Sequence, residues 1–118
     1  MRSNLLCVAR ALILCGLLLS GRSLAGDKPT SKVITVSITG FTFKPAQLEV
    51  DTGDTVIWKN DDIVPHTATG KQFDSKNLNQ GQSWTYVAKR TGSFPYRCAF
   101  HPGMKGILTV KNNEEKPK

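Results

Sequence analysis

The sequence predicts an all-β chain, a two-sheet antiparallel sandwich of about seven to eight short strands. Three observations carry this expectation. After residue 26 no stretch keeps a helical period for three turns. Short alternating or β-branched runs recur instead, most of them closed by Gly, Pro, Asn or Asp. Seven aromatic residues, Phe41, Phe43, Trp58, Trp84, Tyr86, Phe94 and Tyr96, supply the bulk of one core and are expected to pack inside it. A composition that is 39% hydrophobic and 21% charged excludes collagen-like, disordered and coiled-coil chains.

Residues 1–25 read as a cleaved secretory signal. Arg2 and Arg10 begin it, Ala11–Leu19 is an unbroken apolar run, and Ser23-Leu24-Ala25 puts small residues at −3 and −1 before Gly26. The charge-free run Ala11–Gly21 is too short to span a bilayer, which needs roughly 20 residues. Residues 26–118 are therefore expected to be one exported domain with no stable membrane association. A lipoprotein signal on Cys15 fits poorly, because Leu14 is bulky where a small residue is wanted.

The first strand is Lys32–Ile38, with Ile34, Val36 and Ile38 on one face. Phe41 and Phe43 follow Gly40, and Pro45 interrupts. Gln47–Val50 is a short strand closed by the turn signal Asp51-Thr-Gly-Asp54. Thr55–Lys59 is a strand ending at Asn60-Asp-Asp62. Residues 67–82 are polar and rich in Gly and Asn, so they read as a long loop with one helical turn or a short edge strand. Ser83–Ala88, Ser93–Cys98 and Gly106–Lys111 complete the set, and residues 112–118 read as a flexible charged tail. Pro95 lies inside a strand pattern, so that strand is at an edge or carries its proline at an unpaired position.

The full chain has 16 Lys and Arg against 9 Asp and Glu, a formal charge of +7. Residues 1–25 hold three of the basic residues and no acid, so the mature charge is +4. That excess is spread along the chain and gives no argument for nucleic acid. Loss of the signal also removes Cys7 and Cys15 and leaves Cys98 alone. Exported domains use cysteines in pairs, so a single thiol needs something to occupy it.

The mature chain has one Cys, two His and one Met. Three of them fall in Cys98-Ala-Phe-His101-Pro-Gly-Met104; the fourth, His66, ends Asp62-Ile-Val-Pro-His66. A thiolate with two imidazoles forms a trigonal set for copper, and a weak axial thioether marks an electron-transfer copper site. Strand alternation puts Cys98 on the face of Phe94 and Tyr96, so its sulfur points inward at the strand's end. Zinc on Cys98, His66 and His101 is an alternative, but zinc gains nothing from Met. A cysteine nucleophile using His66 or His101 is another. The Tyr96-x-Cys98 pair mimics an immunoglobulin-like domain, whose partner cysteine is missing.

From Val33 to Lys111 the sequence resembles small bacterial cupredoxins of the plastocyanin/amicyanin group. The matching motifs are Phe41-Thr-Phe43-Lys-Pro45, Gly53-Asp54-Thr-Val56-x-Trp58-x-Asn60, His66 and Tyr96-x-Cys98-x-x-His101-Pro102-x-Met104. The two-residue gap between His101 and Met104 is similar to that of amicyanin. The resemblance implies a Greek-key cupredoxin sandwich, one type 1 copper cycling between Cu(I) and Cu(II) on His66, Cys98, His101 and Met104, and periplasmic one-electron transfer. It implies a monomer that is not an enzyme, with a redox donor and acceptor such as a dehydrogenase, cytochrome or oxidase. A periplasmic carrier or storage protein delivering Cu(I) is the alternative, although such proteins are richer in Met and His. His101 is expected to be the electron gateway, within an apolar patch of Ile63, Val64, Pro65, Pro102 and Gly103, and by the same resemblance to leave reduced copper and take a proton. Lys71 and Lys105 are expected to steer an acidic partner. Two departures stand out. Thr67 replaces an Asn that bonds across to the cysteine loop, and its hydroxyl has less reach. Phe100 replaces a Pro, so its N–H is expected to donate to the Cys98 sulfur.

Overall fold

Among the described residues eight strands form two four-stranded sheets: β1 (Val33–Thr39), β2 (Thr42–Lys44), β3 (Gln47–Asp51), β4 (Thr55–Asn60), β5 (Thr69–Gly70), β6 (Ser83–Val87), β7 (Gly92–Arg97) and β8 (Lys105–Lys111). The computed structural model describes Gly21 and residues 30–115. The rest of the expected signal, Cys7 and Cys15 included, lies outside the described residues, as do 116–118 of the expected tail. Asn113–Glu115 form a single 3-10 turn, with the Asn113 N–H donating to Thr52 Oγ1 at 3.2 Å.

The sheet orders are β2-β1-β4-β6 and β3-β8-β7-β5. The all-β sandwich is as expected, but its sheets are mixed rather than purely antiparallel. β1 pairs parallel with β4, matching Val36 to Trp58, and β3 pairs parallel with β8, matching Val50 to Val110. The cause is connectivity. Between β1 and β4 the chain crosses to the other sheet as β3 and returns, and such a crossover can bring a strand back in the same direction where a tight hairpin cannot.

Alternation does the sorting. Val36 and Ile38 of β1 and Val56 and Trp58 of β4 are buried, as are Tyr96 of β7 and Leu108 and Val110 of β8. Aromatic rings lock the two layers together: Tyr96 lies edge-on to Phe43 at 4.8 Å and to Trp58 at 5.4 Å. Pro95 lies beyond the two residues of β7 that pair with β5, so the fifth strand stops short of it.

Two aromatic residues depart from expectation. Phe41 is 51% exposed and outside the core. Phe73, inside the segment read as a polar loop, is buried against Trp58, Trp84, Tyr86 and Tyr96. That segment contains only the short β5, and Phe73 plugs the sandwich beside it.

Buried polar side chains set the turns. Asp54 accepts the Asp51 N–H at 2.9 Å and the Lys32 N–H at 2.8 Å, which closes the Asp51–Asp54 turn onto the start of the fold. Asn60, fully buried at the end of β4, donates to the carbonyls of Val64 and Leu78, both at 2.8 Å, and accepts the Asp62 N–H at 2.9 Å. One amide thus shapes the loop that delivers His66.

Candidate metal centre

His66 follows that loop. Its N–H donates to the Leu78 carbonyl at 3.1 Å and its carbonyl accepts the Leu78 N–H at 2.8 Å, so its backbone is held on both sides. Its ring is fully buried. Cys98 comes directly after β7 and is equally buried. The loop beyond it is closed by two backbone bonds: Cys98 N–H to the Met104 carbonyl at 3.0 Å, and Met104 N–H to the His101 carbonyl at 2.8 Å. The two-residue spacings leave room for little else.

These loops bring three donor atoms together. Cys98 Sγ lies 3.6 Å from His101 Nδ1 and 3.8 Å from His66 Nδ1, and the donors of all three residues fall within 4.8 Å of one another. Metal bonds of about 2.0 Å to nitrogen and 2.3 Å to sulfur, spread at about 120°, place an S and an N donor about 3.7 Å apart. The observed separations match that value, so the cluster is spaced for one ion. Met104 is buried at the end of the same loop, and its backbone bonds to both Cys98 and His101 keep it beside the group.

The sulfur also has a protein partner. The Thr67 N–H points at Cys98 Sγ from 3.4 Å. The Phe100 N–H expected to do the same makes no such bond. Phe100, between Cys98 and His101, is 55% exposed. The reach of Thr67 is greater than expected. Its Oγ1 accepts the Ala99 N–H at 2.8 Å and lies 2.8 Å from Thr69 Oγ1, which donates to Asp74 at 3.1 Å. The threonine therefore bridges the two ligand loops as an asparagine would.

Two residues at the site were not expected there from the sequence. Asp62 Oδ2 lies 2.8 Å from His66 Nε2. The ring of Phe41 stands edge-on to both imidazoles, at 5.3 Å from His66 and 4.9 Å from His101. A carboxylate four residues before a candidate ligand was the available signal for the first. His101 is half-buried; of the residues expected beside it, Ile63 (84% exposed), Pro65, Pro102 and Gly103 are exposed and Val64 is half-buried. Phe41 and Phe100 are exposed large apolar side chains as well.

The cupredoxin-like domain model matches residues 9–110. The chain belongs to the cupredoxin-like family. Among curated relatives this cupredoxin is 27% identical over 94 residues to the amicyanin of Paracoccus versutus, covering 74% of this chain and 70% of that protein. Among solved structures it is similar to a purple cupredoxin from Nitrosopumilus maritimus, at 31% identity and a TM-score of 0.63, over 66% of this chain and 99% of that one. It is also similar to an oxidised mutant of amicyanin, at 25% identity and a TM-score of 0.64, over 66% and 81%. The cofactor of this cupredoxin is copper, and its His–Cys–His group is the donor chemistry that ion takes.

Proposed function

We propose that the protein is a periplasmic, mobile one-electron carrier with a single type 1 copper ion held by His66, Cys98 and His101 and weakly by Met104. The convergence of one thiol and two imidazoles, all within 4.8 Å, supports this most directly. Bound copper supplies the electron, cycling between one and two positive charges. The chain braces the loops that carry the donors. Backbone bonds fix Cys98, His101 and Met104 to one another, and Thr67 ties that loop to the His66 segment. A set that moves little between oxidation states transfers electrons quickly.

His66 is sealed from solvent while His101 is partly open, so exchange with partners runs through His101 and its apolar surround. Redox proteins with an apolar contact face are the partners this end suits. Four donors leave no open position for a substrate, and the mature sequence has no further His or Cys for a second metal; a carrier is favoured over an enzyme. The signal-like residues 1–25 support export.

Addition of Cu(II) to the mature protein should give an intense thiolate-to-copper colour at one equivalent, bleached and restored by mild reductant and oxidant. A protein that stays colourless and takes up only Cu(I) would instead be a copper carrier.

A further inference from the structure

Asp62 sits at the centre of a small clamp beside the donor cluster. Oδ1 accepts the Gly40 N–H at 2.7 Å, and Oδ2 accepts the Phe41 N–H at 3.0 Å and meets His66 Nε2 at 2.8 Å. Each oxygen already accepts a backbone N–H, so the carboxylate meets the His66 ring as an acceptor too. An ionised carboxylate only accepts hydrogen bonds. The Nε2 atom of His66 must then carry the proton, which leaves the lone pair on Nδ1, the atom 3.8 Å from Cys98 Sγ.

The same carboxylate holds a strained residue. Phe41 has a φ of +56°, a conformation rare for a bulky side chain, and its ring covers His66 and His101 edge-on. One acid therefore orients a ligand and pins the aromatic roof above both imidazoles.

We propose that Asp62 is a positioning residue of the copper site: it sets His66 in the Nε2–H tautomer before metal arrives and, by placing a full negative charge behind that ligand, favours Cu(II) and lowers the reduction potential. The second half rests on the copper reading of the site. A carboxylate behind a metal-bound histidine fixes the ring and raises its basicity, and losing such a partner typically reduces metal affinity 10–100-fold. The divalent ion gains more from the added charge than the monovalent one, so the two oxidation states separate.

The test uses Asp62→Asn, which keeps an acceptor but removes the charge, and Asp62→Ala, which removes both. Asp61→Asn is the control, because Asp61 is a neighbouring carboxylate bonded to Ser37 and Lys59 rather than to His66. Asp62→Asn should bind Cu(II) about 10–100-fold more weakly. Each tenfold by which Cu(II) loses more than Cu(I) raises the one-electron potential by about 59 mV, and Asp61→Asn should shift it far less. A potential that is unchanged, lowered, or moved equally by Asp61→Asn overturns the electrostatic half. Nitrogen-15 NMR of the metal-free wild type, with His66 neutral, should show Nε2 protonated, and Asp62→Ala should lose that preference. A proton on Nδ1 in the wild type overturns the positioning half. The wild-type half of this second measurement needs neither copper nor a variant. If the wild type bound no copper, the copper reading and the electrostatic half would fall together, and the tautomer would still decide whether Asp62 orients His66.

Discussion

Substituting Thr67 by Val removes a hydroxyl that links the His66 segment to the Cys98 loop. Thr67 is buried and valine has nearly its shape, so the change is chiefly one of hydrogen bonding. Oγ1 accepts the Ala99 N–H at 2.8 Å. Because Thr69 donates its own proton to Asp74, Thr67 is the donor in their 2.8 Å contact. Valine abolishes both bonds. A donor left without its acceptor costs about 1–3 kcal/mol. Ala99 is exposed enough for water to compensate in part, which puts the loss near the low end, about 1–2 kcal/mol. In a domain of this size each kcal/mol moves Tm by roughly 4–8 °C, so the variant should melt about 4–16 °C below wild type. The assay is thermal unfolding by circular dichroism of the metal-free proteins, since a bound ion adds stabilisation of its own. Thr67→Ser keeps the hydroxyl and should melt much closer to wild type. The Thr67 N–H bond to sulfur belongs to the backbone and should survive in both. A valine variant melting with the wild type would show that the hydroxyl carries no part of the loop junction.

Further outcomes follow from single contacts. Tyr96 Oη and Trp58 Nε1 are both buried without a hydrogen-bond partner, so Tyr96→Phe should leave stability unchanged or raise it by up to about 1 kcal/mol in denaturant melts; a loss larger than that would mean the hydroxyl is satisfied. Burial pushes the Tyr96 phenol above its ordinary 10.0. Wild-type stability should therefore decline as pH rises above 10.0, where the unfolded chain ionises first, and Tyr96→Phe should remove that slope. A Cβ added at Gly106 would clash with the hydroxyl end of the buried Tyr96 ring, so Gly106→Ala should destabilise by about 1–3 kcal/mol, read as a lower denaturant midpoint. The Lys76 N–H, with its ammonium and Thr69, holds the Asp74 carboxyl below its ordinary 3.8. Its contribution is full above that value and is lost as pH falls through the lower folded value, so the acid limb of a Tm-against-pH curve should be shallower in Asp74→Asn. Identical acid limbs would show that those bonds add nothing.

Much of this structure is legible in local pattern, and the gaps have physical causes. Alternation in Ile34-x-Val36-x-Ile38 and in Phe94-x-Tyr96-x-Cys98 gives the inward faces directly, because side-chain direction in a strand depends only on parity. His66, Cys98 and His101 were readable as donors because residues 26–118 hold only one Cys, two His and one Met, and the first three of these side chains converge within 4.8 Å. Strand direction was not readable: parity is the same whether Trp58 faces Val36 in a parallel or an antiparallel pair. Phe73 was missed because its neighbours are polar, and its burial comes from residues distant in sequence. Phe41 was expected inside by size alone. Its positive φ turns the ring out over the histidines, a position fixed by Asp62 from another loop. Asp62 itself read as part of a turn, and its bond to His66 depends on the loop shape that buried Asn60 imposes. Tertiary hydrogen bonds of this kind leave no periodic trace.

The most direct check of the central claim is X-ray absorption at the copper edge of the loaded protein, comparing wild type with Cys98→Ser. The account predicts one short copper–sulfur bond and two imidazole nitrogens in the wild type, with the short sulfur bond absent from the variant. A wild-type spectrum with no sulfur ligand, or one unchanged by Cys98→Ser, would contradict it.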